Sequence, residues 1–288
     1  AVLDAASGLA EDEGAEVHHL EVSPGGSIDA DRLEALVADG NAVLSVMAVN
    51  NETGLRLPVD EIGGIARRWG AVMHCDAAQA VGKLPLALPD VPVDLLTATG
   101  HKINGPKGTG ILFVRSGTEL RPLVRGGGQE RALRPGTEDV AGAVGFATAL
   151  RLAVAEQADT ADRLRALRAD FERQVRSALP DVRVNCEAGP RSPHVSSLGI
   201  PGVDGAALLM ALDLEGVAVS GGSACHSGSS AGSHVIRALY GDDDELATVR
   251  FSFGLGTTED DVRRAAETLS EVVSRFAPAR PTGQEASL

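Results

Sequence analysis

Stretches with apolar residues three and four apart alternate along this chain with short continuous apolar runs, a pattern that predicts alternating helices and strands. Residues 1–9 have helical spacing, and residues 15–20 predict a short strand. In residues 29–38, Leu33, Leu36 and Val37 fall on one helical face, with Asp29 as the N-cap. The run AVLSVMAV, residues 42–49, has the length and composition of a buried strand. Residues 59–69 are helical again, and strands follow at 71–75, 93–97 and 110–114. Strands and helices in this order predict a largely parallel sheet with helices on both faces. Ligands in such sheets bind at the carboxyl ends of the strands.

From Glu138 the pattern turns long and helical, through Ala149 and on to Leu179. Strands are then predicted at 195–199, 217–220 and 248–253, and helices at 205–212, 233–239 and 259–276. Thr258 and Asp261 resemble a capping box in which Asp replaces the usual Glu or Gln. The tail, residues 277–288, has no periodicity and is expected to be disordered. The expected organisation is an α/β large domain over 1–157, a smaller α+β C-terminal domain over 158–276, and the tail. No internal repeat is present.

The 288 residues are 43% hydrophobic and 23% charged, an ordinary globular balance. Aromatics make up only 3%, so the core must be built from Val, Leu, Ala and Ile. A net charge of −14 argues against direct nucleic-acid binding, which needs a basic field. One local basic cluster stands out, Arg121, Arg125, Arg131 and Arg134. Three cysteines without CxxC spacing fit neither a disulfide framework nor a zinc site, and the expected location is a reducing cytoplasm. No stretch reaches the roughly 18 apolar residues of a membrane span, so no membrane partner is expected. The first residues lack the basic start and apolar core of a signal peptide.

Two loops carry candidate chemistry. Asp76 ends a predicted strand in HCDAAQAVGK, where taken alone it reads first as an N-cap for a following helix and second as a carboxylate aimed into the ligand crevice. Lys102 follows the next strand in TGHKINGPKGTG, where a lysine taken alone reads as a solvated one. Together they have the composition of a pyridoxal-phosphate (PLP) site, in which a lysine amine forms a Schiff base and a carboxylate keeps the pyridine nitrogen protonated. Thr99 and His101 are placed to donate to a phosphate, while GPKGTG lacks the spacing of a P-loop.

TGHKINGPKGTGILFVR resembles the lysine segment of the NifS/IscS-type (group I) cysteine desulfurases of the class-V aminotransferase group. AVNNETG, HCDAAQAVGKLPL, GGGQERALRPGTED, SGGSACHSG and RFSFG resemble further family segments, in family order. The resemblance implies the PLP-dependent transferase fold of type I. It makes Lys102 the Schiff-base lysine and Asp76 the pyridinium partner. Gln79 would bond the phenolic oxygen of PLP, and Asn51 would sit beside that oxygen and the substrate carboxylate. Thr99 and His101 would bind the phosphate. Thr137 would reach the phosphate of the other subunit's cofactor in a homodimer, which places the arginine cluster on a dimer-facing loop. Arg250 would grip the substrate carboxylate through two parallel hydrogen bonds.

Cys225 lies among Gly and Ser in GGSACHSGSSAGS, the setting of an exposed thiol, with His226 beside it to lower its pKa. By the resemblance, Cys225 takes sulfur from L-cysteine as a persulfide and releases L-alanine, with Lys102 moving the α-proton. The sulfur then passes to an acceptor such as an iron–sulfur scaffold or a tRNA-thiolation protein. No metal site is expected beyond a transient iron–sulfur ligand role for Cys225. Cys75 is expected in the core, and Cys186 has no assigned role.

Family members carry roughly a hundred further residues ahead of Ala1, on a length comparison, with a phosphate-binding turn and a histidine that stacks on the cofactor ring. The resemblance therefore implies an N-terminally truncated large domain, and independent activity of this stretch is left open. His18 and His19 are no substitute for that histidine. Two other classes remain: a related PLP enzyme such as a selenocysteine lyase or an aminotransferase, and an inactive homologue acting as a binding partner.

Overall fold

The computed structural model describes residues 1–221, 233–242 and 244–276. The chain forms two compact units, one of residues 1–51 and 55–159, the other of 52–54 together with the chain from Thr160 onward.

The first unit is built on a four-stranded sheet in the order β1 (Val43–Met47), β2 (Val72–Asp76), β3 (Leu95–Thr99), β4 (Gly110–Val114). The first three strands run parallel and β4 returns antiparallel to β3. Alternation along β2 decides what each face does. Met73 and Cys75 are wholly buried on one side, while His74 and Asp76 point to the other. Leu44 of β1 and Leu96 and Ala98 of β3 share the buried side. They join one core with Leu33 and Val37 of α2 (Ala30–Val37) and Ile62, Ile65 and Ala66 of α3 (Val59–Trp69). Asp29 caps α2, accepting the Arg32 N–H at 2.9 Å, and Gly70 ends α3 in the left-handed conformation. Ahead of them lies α1 (Val2–Glu13), with no buried residue.

The expected strand at residues 15–20 does not form. Glu16, His18 and His19 are exposed, and the nearest pairing is an isolated bridge from Val22 to Ile28. A short run with no strand beside it has nowhere to place its backbone donors, so it stays irregular. The long helical stretch breaks at Glu156 into α4 (Val140–Ala155) and α5 (Gln157–Ala178).

The second unit packs helices against a three-stranded antiparallel sheet, β5 (Arg183–Val184), β6 (Val195–Ile200) and β7 (Ala247–Ser252). Phe171 of α5, Leu198 and Ile200 of β6, and Val249 and Phe251 of β7 form its centre. They meet Leu208 and Leu212 of α6 (Gly205–Leu214) and Leu269 and Val272 of α8 (Glu259–Phe276). The Phe171 and Phe251 rings stand 4.5 Å apart. Between α6 and α8 comes α7 (His234–Tyr240). The capping box forms as read: Thr258 Oγ1 accepts the Asp261 N–H, and the Asp261 carboxylate accepts the Thr258 N–H at 2.9 Å. The expected strand at 217–220 reduces to a single bridge between Ser220 and Arg250. The tail at 277–288, expected to be disordered, lies outside the described residues.

Candidate active site

The parallel strands deliver three groups of side chains to one edge of the sheet. Asp76 is the last residue of β2, and Thr99 is the last of β3. Asn51 follows β1 after a three-residue extension. A short 3₁₀ turn, Gly100–Ile103, carries His101 and Lys102 directly off β3. Pairing Asp76 with Thr97 sets the ends of β2 and β3 side by side. This is the carboxyl edge where such sheets bind ligands.

Asp76 does not cap a helix as one sequence reading expected, because residues 78–83 form turns instead. Its Oδ1 accepts the Ala78 N–H at 3.0 Å, which starts the turn that carries Gln79 and Lys83. Behind it on the same face, His74 joins the three strands: Nδ1 lies 2.7 Å from Ser45 Oγ of β1, and Nε2 lies 3.3 Å from Thr97 Oγ1 of β3. Desolvation holds the His74 imidazole below its ordinary pKa, with the Asp76 charge opposing. A neutral imidazole therefore lies two residues behind Asp76, fixing the strand ends without adding charge.

The turn at Lys102 is fixed by close packing. Gly100 is buried, and a Cβ there would fall 2.4 Å from Thr109 Oγ1 and 2.9 Å from the Phe146 ring. Only glycine lets the lysine turn lie this close to α4. Thr99 Oγ1 is 2.8 Å from His101 Nδ1 and 3.3 Å from the Thr109 carbonyl. The Thr109 carbonyl can only accept, so it takes the Thr99 hydroxyl proton, and the Thr99 oxygen is left to accept from His101 Nδ1. Lys102 and His101 are exposed, while Asp76, Gln79 and Thr99 are half-buried.

Four groups are thus collected at one edge of the first unit: a carboxylate, an amide, a primary amine, and a hydroxyl–imidazole pair. Their donor and acceptor types are those that the ring nitrogen, phenolic oxygen, aldehyde carbon and phosphate of PLP would require, so the residues present fit that cofactor. Thr137 is exposed in the loop leading into α4, as are Arg121, Arg125, Arg131 and Arg134.

The second unit holds Arg250 at mid-strand in β7, half-buried, opposite Ser197 of β6. Burial lowers the pKa of its guanidinium and the nearby Glu52 charge raises it. Glu52, Thr53 and Gly54, from the NNETG segment, are buried within this unit. Ser233 Oγ donates to Glu52 Oε2 at 2.5 Å and also caps α7 by accepting the Val235 and Ile236 N–H groups. Ser220 pairs with Arg250 through both backbone bonds, at 2.7 and 3.2 Å. The described residues on either side of the Cys225 segment are therefore tied to Arg250 directly and to its neighbour Glu52. Cys225 and His226 themselves lie outside the described residues.

The other two cysteines are poor nucleophiles. Cys75 is wholly buried, and burial with the Asp76 charge pushes its thiol up to about 12. Cys186 is buried and shifted up for the same first reason, with its backbone N–H bonded to the Tyr240 hydroxyl at 2.8 Å.

Sequence reasoning missed His74, Lys83, Glu52 and Ser233. His74 had a usable signal, since a residue two before Asp76 on a strand faces the same way. Glu52 had none, because its partners lie far along the chain.

Residues 1–265 match the family model described as aminotransferase class-V. A cysteine desulfurase of Nostoc sp. is 40% identical over 272 residues, covering 94% of this chain and 68% of that protein. A solved structure titled NifS-like protein superposes with a TM-score of 0.85 at 31% identity, over 95% of this chain and 72% of the other. A second, titled SspA in complex with cysteine, superposes with a TM-score of 0.70 at 28% identity, over 88% of this chain and 70% of the other. Among the described residues, no helix is long and apolar enough to cross a membrane, and no cluster of His, Cys, Asp and Glu could hold a metal ion.

Proposed function

The chain belongs to the class-V aminotransferase family and, within it, to the cysteine desulfurases, and we propose that Lys102 and Cys225 divide its chemistry between them. The reaction converts L-cysteine to L-alanine and leaves the sulfur on Cys225 as a persulfide. The observation that carries this reading is the arrival of Asp76 and of the Lys102 turn at neighbouring carboxyl ends of β2 and β3.

Bound PLP supplies an electron sink next to the substrate's α-carbon. Lys102 would hold the cofactor through its amine and, as a free amine, would move the substrate's α-proton. Asp76 keeps a proton on the ring nitrogen, its orientation set by Ala78 N–H and its strand end by His74. Gln79 and Asn51 would bond the phenolic oxygen, with Asn51 also serving the substrate carboxylate. Thr99 and His101 take the phosphate, and Thr137 takes that of the partner subunit in a homodimer. Arg250 grips the substrate carboxylate, with Glu52 beside it balancing the buried charge.

The Cys225 thiolate then attacks the substrate sulfur. An S–S bond forms, the carbon–sulfur bond breaks, and the carbon that lost sulfur takes a proton to become the methyl group of alanine. The thiol on Cys225 serves no purpose in a transaminase, which favours the desulfurase over the aminotransferase reading. The sulfur acceptor is a scaffold for iron–sulfur clusters or a tRNA-thiolation protein, reached in the cytoplasm.

Replacing Lys102 with Ala is expected to remove the covalently held chromophore and lower alanine formation by at least about a thousandfold. Retention of both would overturn the assignment of Lys102. Comparing alanine release from cysteine and from selenocysteine separates a lyase, which would use only the second.

A further inference from the structure

We propose that Lys83 is a positioning residue, whose ammonium fixes the Gln79 side-chain amide with its oxygen toward the lysine and its NH₂ turned toward the cofactor's phenolic oxygen. The proposal rests on the assignment of Gln79 made above. Lys83 Nζ lies 3.2 Å from Gln79 Oε1, four residues along the same turn. An amide rotates between two nearly equivalent placements, and one of them would set its carbonyl against the electron-rich phenolic oxygen. An ammonium group has donors only, so contact with Lys83 selects the other placement.

The turn that carries both residues is held in place. Ala80 and Val81 N–H groups bond to the Ala77 carbonyl, and Lys83 and Leu84 N–H groups bond to the Ala80 carbonyl, all at 2.9 Å. Gln157 Nε2 donates to the Leu84 carbonyl at 2.6 Å. Gly82 has φ 72°, and a Cβ there would come within 2.9 Å of Ile103 Cγ2 and 2.8 Å of Ala153 Cβ. The Gln79 turn is thereby pressed against Ile103, the residue after Lys102. Burial first, and the Lys102 charge second, pull the Lys83 amine down to about 8. An apolar side chain of similar length would fill the position without that penalty, so packing alone gives no reason for a lysine.

The test reads the bound cofactor's visible absorbance against pH, together with its dissociation constant, in Lys83→Met, Lys83→Arg, Gln79→Leu and the Lys83→Met/Gln79→Leu double variant. An amide donor on the phenolic oxygen favours loss of the proton shared at the lysine linkage. Gln79→Leu and Lys83→Met are each expected to raise the absorbance midpoint by about 0.5–1 pH unit, the size of one hydrogen bond. The double variant is expected to match either single one, and Lys83→Arg, which keeps the donor, to stay near wild type. An unmoved midpoint in Lys83→Met while Gln79→Leu shifts it overturns the role of Lys83 alone. Additive shifts in the double variant also overturn it. An unmoved midpoint in Gln79→Leu instead overturns the assignment of Gln79, and the Lys83 proposal falls with it. A purely structural lysine would lower the melting temperature of Lys83→Met without moving the midpoint, which again decides against the proposal.

Discussion

Below pH 8 the Lys83 ammonium is charged in both the folded and the unfolded chain, but only the fold desolvates it beside Lys102. Its folded pKa of about 8 lies under the ordinary value of 10.5, so the folded state sheds this proton first. Stability of the cofactor-free protein should therefore rise as pH climbs from 8 to 10.5, by a ceiling of roughly 3.5 kcal/mol at ~1.4 kcal/mol per unit. The thiol of Cys75, pushed up to about 12, acts in the opposite sense above its ordinary 9.0, because the unfolded state loses that proton first. Denaturant unfolding of wild type and Lys83→Met at pH 7.5 and 9.5 isolates the lysine. The difference between the two proteins should narrow at the higher pH, and a constant difference would show that Lys83 is not desolvated. At this scale the sequence was legible where a strand end fixes a residue's position, as with Asp76 at the end of β2 and Lys102 just after β3. It was opaque where the role comes from a neighbour. Lys83 reads as any lysine until Gln79 is seen against it, and Glu52 reads as a surface acid until Ser233 and Arg250 close over it.

Among the elements, the 3₁₀ turn at Gly100–Ile103 makes the sharpest demand on its residues. Gly100→Ala must push the new methyl into Thr109 and Phe146, and overpacking of this kind costs about 1–3 kcal/mol. The displaced turn carries His101 and Lys102 with it, so cofactor affinity should fall along with thermal stability. Loss of stability with unchanged affinity would mean that the turn does not set the lysine. In the second unit, Ser233→Ala removes both the α7 cap and a donor to the buried Glu52 carboxylate, and should cost about 2 kcal/mol in unfolding free energy. Raised KM for cysteine with little change in kcat would show that the loss reaches Arg250. Long periodic helices were readable because their apolar faces repeat, as in α3 and α8. The strands expected at 15–20 and 217–220 were not, since a strand exists only where a neighbour offers hydrogen bonds, and the local pattern says nothing of neighbours.

At the scale of the whole molecule, the residues proposed to hold the cofactor and the arginine proposed to hold the substrate carboxylate fall in different units. The first unit gathers Asp76, Gln79, Thr99, His101 and Lys102 at one sheet edge, and the second holds Arg250 on β7. The overall order was legible because strand and helix patterns alternate in the first unit and give way to long helices in the second. The membership of residues 52–54 in the second unit was not, because it depends on contacts with Ser192, Val195 and Ser233 far along the chain. The three cysteines make the central claim directly measurable, since Cys75 and Cys186 are buried with raised pKa values and serve as internal controls for Cys225. The measurement is to incubate the PLP-loaded protein with L-cysteine, quantify alanine, and locate the added sulfur by peptide mass spectrometry in wild type and in Cys225→Ala. The account predicts one alanine per sulfur atom gained, the sulfur on the Cys225 peptide alone, and neither product in Cys225→Ala despite an intact PLP chromophore. Alanine formed at the wild-type rate by Cys225→Ala, or sulfur found on the Cys75 or Cys186 peptide, would contradict it.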